Sequence, residues 1–282
     1  MLLDGKITII TGGSMGIGLA ISKVFAKEGS NLVIAARDES VFENIQGIFK
    51  DTSTLIETIR TDVSQADDVE RMVNFAMNKF GTVDILVNCA GIYGPIGLIT
   101  DIDVKKWLAT ININLYGTFL CMRAVLPTMM KKNKGKIINM SGGGGASPLP
   151  RFSAYGISKA GVIRLTETIA NEVKDYKIDI NAIAPGVVNT RLLDQALAAG
   201  DAAGKDTKAK VIRQKQEGGV PPEKVAELAL FLASAESDGL SGRLVSLLWD
   251  KWKESPKHLK EIMSSDVYTM RRIVPEDRGL RW

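Results

Sequence analysis

Short runs of β-branched and other apolar residues alternate with longer segments of helical period along most of this 282-residue chain. Parallel strands need crossover connections, which are usually helices, so this alternation predicts a parallel sheet with helices on both faces. We predict a single α/β domain built on a doubly wound sheet of seven parallel strands. The predicted strands are 6–11, 31–36, 55–61, 85–88, 136–140, 179–184 and 244–248.

The alternation of strand and helix patterns changes at three places in the chain. The domain is expected to span residues 1–250, with a lid at about 187–222 where small and charged residues replace the strand pattern. Glycines fill positions 142–145, for which we expect a mobile loop. Residues 251–282 are too rich in tryptophan and tyrosine for a purely disordered tail. We expect this C-terminal extension to pack on the domain or on a neighbouring subunit.

The composition excludes several classes of protein. Apolar residues make up 45% of the chain and charged residues 24%, and a net charge of +4 spread along the sequence argues against binding of nucleic acid. No apolar run is long enough to cross a bilayer, and no apolar leader precedes the first strand. Cys89 and Cys121 are typical of inert buried thiols, and His258 has no metal-ligand partners nearby in sequence. We therefore expect a cytoplasmic protein without a structural metal.

A glycine-rich turn joins the first predicted strand to the first predicted helix. It reads Thr-Gly-Gly-Ser-Met-Gly-Ile-Gly from Thr11 to Gly18. Glycines at such a turn let the backbone approach a pyrophosphate, which the helix N-terminus stabilises, so the context predicts a Rossmann fold that binds a dinucleotide. The same residues also match the nucleophile elbow of serine hydrolases. In that fold several strands precede the elbow, whereas only one precedes it here.

Tyr155 and Lys159 lie four residues apart in a predicted helix, fourteen residues after Ser141. This spacing places both side chains on one helix face. A free phenol has a pKa of about 10, and a neighbouring ammonium lowers that pKa. The pair therefore predicts a proton donor to a carbonyl oxygen.

With these features in this order, the chain resembles the short-chain dehydrogenase/reductase family from its start to about residue 250, and within it the 3-oxoacyl reductase-like branch. Further matching motifs are Asp62-Val63, Asn88-Cys89-Ala90-Gly91, Asn114, and the segment from Pro185 to Thr190. All but Asn114 follow predicted strands, where ligands of doubly wound sheets bind. At Cys89 the family usually has a second asparagine.

The resemblance implies an NAD(P)-dependent oxidoreductase that interconverts a carbonyl and a secondary alcohol. Tyr155 is then the general acid or base, Lys159 lowers its pKa and binds the nicotinamide ribose, Ser141 holds the substrate oxygen, and Asn114 keeps a water that links Lys159 to solvent. The implied cofactor-binding residues, apart from Tyr155 and Lys159, are Gly12, Ser14, Met15, Gly16, Ile17, Gly18, Arg37, Asp62, Val63, Asn88, Ala90, Gly91, Pro185, Gly186, Val188 and Thr190.

The residues after the second predicted strand bear on which cofactor is used. An acid there binds the ribose of NAD, and a base accepts the 2'-phosphate of NADP. The sequence Ala35-Ala36-Arg37-Asp38 places alanine where the family's NAD users carry the acid, and then a guanidinium suited to phosphate. We favour NADP, while Asp38 leaves NAD open.

The substrate is a small molecule that the sequence leaves undefined. Its contacts should come from 92–99, 142–152 and the lid, in which Arg151 and Arg191 are candidates to bind an acidic group. Lysines at 131, 132, 134 and 136 attract an acyl carrier protein in one interpretation and form a solvated helix end in the other.

Two alternative functions stay open. One is a 3-oxoacyl-[acyl-carrier-protein] or 3-oxoacyl-CoA reductase, and another is a non-catalytic dinucleotide-binding sensor, because one fold hosts many functions. The family also implies a homo-oligomer. A tetramer is common among its members, and the extension makes a dimer the alternative.

Overall fold

Seven strands form one parallel sheet in the computed structural model, which describes residues 1–282 except for the side chain of Arg191. The strands are β1 (Ile7–Thr11), β2 (Asn31–Ala36), β3 (Ile56–Arg60), β4 (Ile85–Asn88), β5 (Gly135–Met140), β6 (Ile178–Ala184) and β7 (Arg243–Ser246). Their order across the sheet is β3-β2-β1-β4-β5-β6-β7. This confirms the predicted doubly wound α/β fold, with strand ends within two residues of the predicted ones.

Eleven α-helices lie along the described chain. They are α1 (Gly16–Lys27), α2 (Phe42–Ile48), α3 (Ala66–Phe80), α4 (Val104–Ile111), α5 (Gly117–Lys131), α6 (Gly143–Ala146), α7 (Ser153–Glu172), α8 (Arg191–Ala198), α9 (Lys205–Glu217), α10 (Pro222–Ala233) and α11 (Leu259–Met263). None of the described helices is both long and apolar enough to cross a membrane.

The strands bury both faces of the sheet, because successive side chains of a strand point in opposite directions. In β1, Ile10 joins the core cluster that contains α1 and α10, whereas Ile9 joins the cluster that contains α3 and α5. Both isoleucines are fully buried. Two apolar layers therefore cover the two faces of the sheet. Because all seven strands are parallel, their carboxyl ends lie on the same side of it.

Two local features differ from a simple helix-and-loop pattern. The prediction of a mobile loop over 142–145 is wrong, because residues Gly143–Ala146 form the short helix α6. A Cβ atom on Gly145 would lie 2.9 Å from both the Lys159 backbone and the Ile163 side chain, so this glycine serves close packing on α7. In addition, α4 and α5 are joined by a π-helical turn at Asn112–Tyr116, a geometry often found at functional sites.

The C-terminal extension runs past the free edge of β7. Trp252 packs on Phe231 of α10 with ring centroids 5.3 Å apart. Further along, the Leu244 N–H of β7 donates to the Tyr268 carbonyl at 2.8 Å. The Met270 N–H then donates to the Glu167 carboxylate of α7 at 2.6 Å. The segment thus makes contacts on one face of the sheet, along its edge and on the other face.

Candidate active site

The glycine turn between β1 and α1 lies against the loop that follows β4. Gly12 and Gly16 have φ angles of +66° and +53°, in the left-handed region that favours glycine. A Cβ on Gly12 would lie 2.9 Å from the backbone of Ala90, and a Cβ on Gly18 would overlap the Gly12 carbonyl. The Thr11 hydroxyl accepts from the N–H groups of Cys89 and Ala90 at 3.2 and 3.3 Å. Positions 12 and 18 of the turn therefore have room only for glycine.

A cavity of about 410 Å³ opens beside this turn at the carboxyl ends of β1, β2 and β4. Eleven of the predicted cofactor residues line it: Gly12, Ser14, Met15, Gly16, Ile17, Gly18, Arg37, Val63, Ala90, Gly91 and Thr190. The N-cap residue of α1, Met15, makes no side-chain capping hydrogen bond, and the first turn of the helix holds no acid. The helix therefore keeps N–H groups without side-chain caps and a positive dipole end for phosphate. These features fit a dinucleotide.

Two predicted cofactor residues point elsewhere. The Asp62 carboxylate accepts from the Ser64 N–H and hydroxyl at 3.0 and 2.7 Å, so this side chain closes its own turn. It does not line the cavity, whereas Thr61 and Val63 on either side do. The Asn88 amide donates to Asn139 at 2.8 Å inside the sheet. Both residues shape strand ends and do not form the cavity wall.

Three residues after β6 also lie outside the cavity lining. Val188 is buried in the core and pairs with Val220, and Gly186, at φ +76°, packs against Leu248. Pro185 precedes them in the same segment. They form the loop that carries Thr190, which does line the cavity.

The cavity includes residues that the sequence analysis did not assign to the cofactor. They are Ala35, Ala36, Asp38, Thr61, Cys89, Ile92, Ile113, Leu192 and Gln195. Those at the ends of β2, β3 and β4 follow from the rule that ligands bind at the carboxyl ends of strands. Leu192 and Gln195 belong to α8, which lies within the segment predicted from the sequence as a lid.

Tyr155 and Lys159 lie on one face of α7, as their spacing predicts. The Lys159 ammonium is 5.7 Å from the centre of the Tyr155 ring and donates to the Met140 carbonyl at 2.7 Å. Tyr155 is buried, and its hydroxyl lies so close to Gly142 that a Cβ there would collide with it. The end of β5 and the start of α7 therefore meet at the phenol.

Ser141 follows β5 directly and faces the same helix. Its hydroxyl donates to the Lys159 backbone carbonyl at 3.2 Å, and its N–H donates to Ile183 at 2.9 Å. Ser141 is thus bonded both to β6 and to Lys159. Together with the bond from the Lys159 ammonium to Met140, two hydrogen bonds join Lys159 to the end of β5.

Asn114 lies in the π-helical turn and is fully buried. Its amide nitrogen donates to the Ile92 carbonyl at 2.9 Å and the Ser158 hydroxyl at 3.0 Å, and its amide oxygen accepts from the Ile92 N–H at 2.9 Å. A Cβ on Gly91 would lie 3.3 Å from this oxygen and 3.5 Å from the Lys159 nitrogen. The side chains of Asn114 and Lys159 therefore meet behind a glycine that lines the cavity.

The electrostatics of the pair differ from the sequence-based expectation. Burial, with a smaller contribution from the neighbouring Tyr93, raises the pKa of the Tyr155 phenol. Burial also lowers the pKa of Lys159 to about 8, with Cys89 opposing the shift. The expected net lowering of the Tyr155 pKa is not found, because the effect of burial on the phenol outweighs the stabilisation of the phenolate by Lys159, whose ammonium binds the Met140 carbonyl. The phenol is held in its protonated, donating form.

Two of the four lysines at and after the end of α5, Lys132 and Lys136, are paired within the chain. Lys132 donates to Asp84 at 2.6 Å and to the Val83 carbonyl at 2.6 Å. Lys136 bridges Asp179 and Asp238, each at 2.7 Å. These two lysines therefore offer little free charge to an acidic carrier.

The remaining predictions concern two arginines, the absence of a metal and the cysteines. The Arg151 guanidinium donates to the Ala202 carbonyl at 3.2 Å, and the Arg191 side chain lies outside the described part of the structure. Within the described residues, no group of three or more His, Cys, Asp or Glu side chains is placed to hold a metal ion. Cys89 and Cys121 are both free thiols.

Comparison with known proteins places this site in a family. Residues 6–200 match the family model described as short chain dehydrogenase. A 3-oxoacyl-[acyl-carrier-protein] reductase, FabG, of Thermotoga maritima is 34% identical over 88% of this chain and 98% of its own.

Two solved structures share the fold over nearly their whole length. One is an NAD⁺-bound xylitol dehydrogenase, which has a TM-score of 0.81 and 26% identity over 87% of this chain and 98% of its own. The other is ElxO with NADP bound, which has a TM-score of 0.76 and 32% identity over 86% of this chain and 96% of its own. The chain belongs to the short-chain dehydrogenase family and is an NAD(P)-dependent oxidoreductase.

Proposed function

We propose that this protein interconverts a carbonyl group and a secondary alcohol, with NADP as its preferred cofactor and with Ser141, Tyr155 and Lys159 as its catalytic residues. One observation carries the proposal. The Lys159 ammonium lies behind Gly91, a wall of the dinucleotide-sized cavity, and one helical turn from a buried phenol. This arrangement supports a proton donor beside the nicotinamide end of a bound cofactor.

In the reduction direction, Tyr155 donates its phenolic proton to the substrate oxygen. Burial raises the pKa of this phenol, so the group carries its proton at neutral pH. The nicotinamide, when bound, supplies the hydride that reaches the carbonyl carbon. Developing charge on the oxygen is met by Tyr155 and by the Ser141 hydroxyl, which exchanges its bond to the Lys159 carbonyl for one to the substrate.

Lys159 and Asn114 support this proton transfer indirectly. The buried ammonium favours the phenolate that forms as the proton leaves, because opposite charges attract strongly where water is excluded. Both N–H groups of the Asn114 amide donate, to Ile92 and Ser158, and its oxygen accepts from the Ile92 N–H, so we assign it to holding the β4 loop and α7 in register. We keep the expected water between Lys159 and solvent as a proposal, since the Asn114 side-chain oxygen has a second lone pair that can accept from it.

Arg37 and Asp38 support the preference for NADP. Both line the cavity at the end of β2. The Asp38 carboxylate accepts from the Ser40 N–H at 3.0 Å and the Ser40 hydroxyl at 2.6 Å, so it caps its own turn. Among the described residues Arg37 forms no salt bridge. Its guanidinium is thus available for a 2'-phosphate, whereas one oxygen of the carboxylate that would select NAD is engaged by Ser40.

A 3-oxoacyl thioester reductase is the second candidate, and the similarity to the Thermotoga reductase favours it. The ion pairs of Lys132 and Lys136 speak against docking of an acidic carrier at the end of α5. Turnover of acetoacetyl-CoA compared with a simple ketone decides between the two. A non-catalytic sensor would bind NADPH and turn over neither.

The domain organisation follows the same reasoning. We propose that residues 1–250 form the catalytic domain, that 187–222 act as its lid, and that 251–282 pack on the domain in cis. Support for the last point comes from the contacts of Trp252, Tyr268 and Met270 described above.

We propose a homodimer in the cytoplasm. The extension occupies the β7 edge, and the stacked, half-exposed rings of Tyr116 and Phe119 offer an apolar surface for a second copy. Light scattering tests this surface, because a Phe119→Glu variant should then elute as a monomer. The free thiols Cys89 and Cys121 are typical of a reducing compartment.

The experiment that tests the function is a parallel titration with NADPH and NADH, followed by thermal stability and then by turnover of a ketone panel. Binding to the native state raises the melting temperature. Tighter NADPH binding together with ketone-dependent oxidation supports the proposal. Binding without turnover of any carbonyl or secondary alcohol contradicts it.

A further inference from the structure

Tyr93 lies on the loop after β4 and packs edge-on against the proposed proton donor. Its ring centre is 4.7 Å from that of Tyr155 with the ring planes 77° apart, and 5.4 Å from that of Phe152 with the planes 72° apart. Edge-to-face geometry at these distances is the favourable arrangement for aromatic pairs. Tyr93 therefore forms an aromatic wall packed directly on the ring of Tyr155.

The backbone on both sides of Tyr93 is held firmly. Ile92 makes two hydrogen bonds to the Asn114 side chain, each 2.9 Å long. Gly94 has a φ angle of +72°, and a Cβ at this position would overlap the Thr110 side chain. The ring is thus presented from a fixed position, as a pre-organised wall requires.

The rest of the wall is apolar. Tyr155 and Phe152 belong to a buried cluster that includes Leu193 and Ala196 of α8, with Leu149 and Tyr93 packed against it. Arg151, the nearby candidate for binding an acidic group, is turned to the Ala202 carbonyl. A substrate that reaches the Tyr155 hydroxyl must replace part of this aliphatic and aromatic packing.

We propose that Tyr93 determines substrate specificity and that the substrates are carbonyl compounds whose carbonyl is carried on an apolar ring. This inference rests on the proposed function and narrows its substrate class. An apolar ring replaces the packing of the cluster without leaving polar groups unpaired. The hydroxyl groups of an open-chain sugar or polyol would lose their hydrogen bonds to water in the same place.

The test compares two ketones on the NADPH-loaded, full-length protein. The probes are 4-ethylcyclohexanone, an apolar cyclic ketone, and dihydroxyacetone, a small hydroxylated one. We expect kcat/KM for the cyclic ketone to be higher by about 100-fold. Tyr93→Ala should lower that value by about 10-fold or more, mainly through KM, and change the value for dihydroxyacetone by less than about 3-fold.

Two further variants sharpen the result. Tyr93→Phe keeps the ring and should behave like the wild type, and a large loss in this variant would overturn the apolar wall. Tyr176→Ala serves as the matched control. It removes a partly exposed tyrosine just before the amino-terminal end of β6, whereas Tyr93 follows the carboxyl end of β4. The rise in melting temperature with NADPH shows that each variant is folded.

The two proposals fail in different ways. Preference for dihydroxyacetone, or equal losses on both ketones in Tyr93→Ala, overturns the specificity role and leaves the reductase function standing. The opposite result is that no carbonyl is turned over, but 4-ethylcyclohexanol still raises the melting temperature of the NADPH complex in a Tyr93-dependent manner. That result supports the binding role of Tyr93 and overturns the proposed function. Absence of both effects overturns both.

Discussion

The Lys159 ammonium donates to the carbonyl oxygen of Met140 at 2.7 Å, and Met140 is the last residue of the strand that delivers Ser141. The Ser141 hydroxyl donates in return to the Lys159 carbonyl at 3.2 Å. These two bonds join the end of β5 to the middle of α7, and Tyr155 lies one turn earlier on the same helix. The relative positions of the three proposed catalytic residues are therefore fixed by Lys159 as much as by the sheet.

Replacing Lys159 with methionine should change the stability of the protein by an amount that depends on pH. Burial lowers the pKa of this lysine from 10.5 to about 8, so below pH 8 the folded protein holds a buried charge that it disfavours. Between pH 8 and 10.5 the unfolded chain binds a proton that the folded protein lacks, and the wild-type free energy of unfolding rises with pH. The free energy of unfolding of Lys159→Met, relative to that of the wild type, should therefore fall by about 2.5 kcal/mol between pH 7 and pH 10.

Urea unfolding of both proteins at pH 7 and at pH 10 measures this difference. Lys174→Met, at an exposed position, corrects for the loss of one lysine. A stability gap that is the same at both pH values would contradict the buried-charge account. Ketone reduction by Lys159→Met should fall by at least about 100-fold, because the phenolate loses its stabilising charge.

Replacing Arg37 with alanine should weaken NADPH binding by about 10-fold and leave NADH binding within about 2-fold, because one charge-assisted contact to the 2'-phosphate is lost. Isothermal titration with both cofactors measures the ratio. Asp38→Asn is the matched control, since its carboxylate is engaged by Ser40 and should contribute little to NADH. Equal losses for NADPH and NADH in Arg37→Ala would remove the phosphate role.

Two neighbouring glycines should respond oppositely to alanine. A Cβ on Gly145 would lie 2.9 Å from the Lys159 backbone, whereas a Cβ on Gly143 meets nothing within 4 Å. Gly145→Ala should destabilise the protein by about 1–3 kcal/mol and lower activity, because it displaces α7 from β5. Gly143→Ala should be neutral or stabilise by up to about 1 kcal/mol. Thermal unfolding gives both values, and similar effects at the two positions would argue for a flexible loop.

Replacing Arg243 with leucine should loosen the C-terminal extension. The buried Arg243 guanidinium donates to the carbonyls of Ile262 and Ser265 at 2.8 and 3.1 Å. Without these bonds, amide hydrogen exchange over 259–270 should speed up by about 10-fold or more. NADPH binding should stay unchanged. Arg272→Leu, at an exposed position in the same extension, should leave exchange as in the wild type, and faster exchange throughout the sheet would mean that Arg243 holds the domain itself.

Much of the fold was predictable from the sequence because its signals are local. Strands buried on both faces read as continuous apolar runs, and the glycine turn of β1 and α1 requires φ angles that only glycine adopts readily. The spacing of Tyr155 and Lys159 fixed their shared helix face in the same way. Such features depend on residues that are near one another in the chain.

Other features depended on contacts between distant residues. The partner of Lys159 is a backbone carbonyl, and the backbone has no sequence signature, so the sequence suggested the phenol instead. Asp62 turned to Ser64 because a carboxylate two residues before a serine can close a turn more easily than reach a ligand. The glycines at 142, 144 and 145 mark close packing on α7, which the sequence alone does not distinguish from mobility. The packing of Tyr93 on Tyr155 was likewise not predictable.

Tyr155→Phe tests the central claim most directly. The variant removes the proposed proton donor and keeps the cavity and the packing of the ring. NADPH-loaded wild type and variant are each mixed with 4-ethylcyclohexanone, and the loss of nicotinamide absorbance is followed in a single turnover. The account predicts unchanged NADPH affinity and a rate of hydride transfer at least about 1,000-fold lower in the variant. Hydride transfer at a near wild-type rate would show that Tyr155 is not the proton donor and would contradict the mechanism.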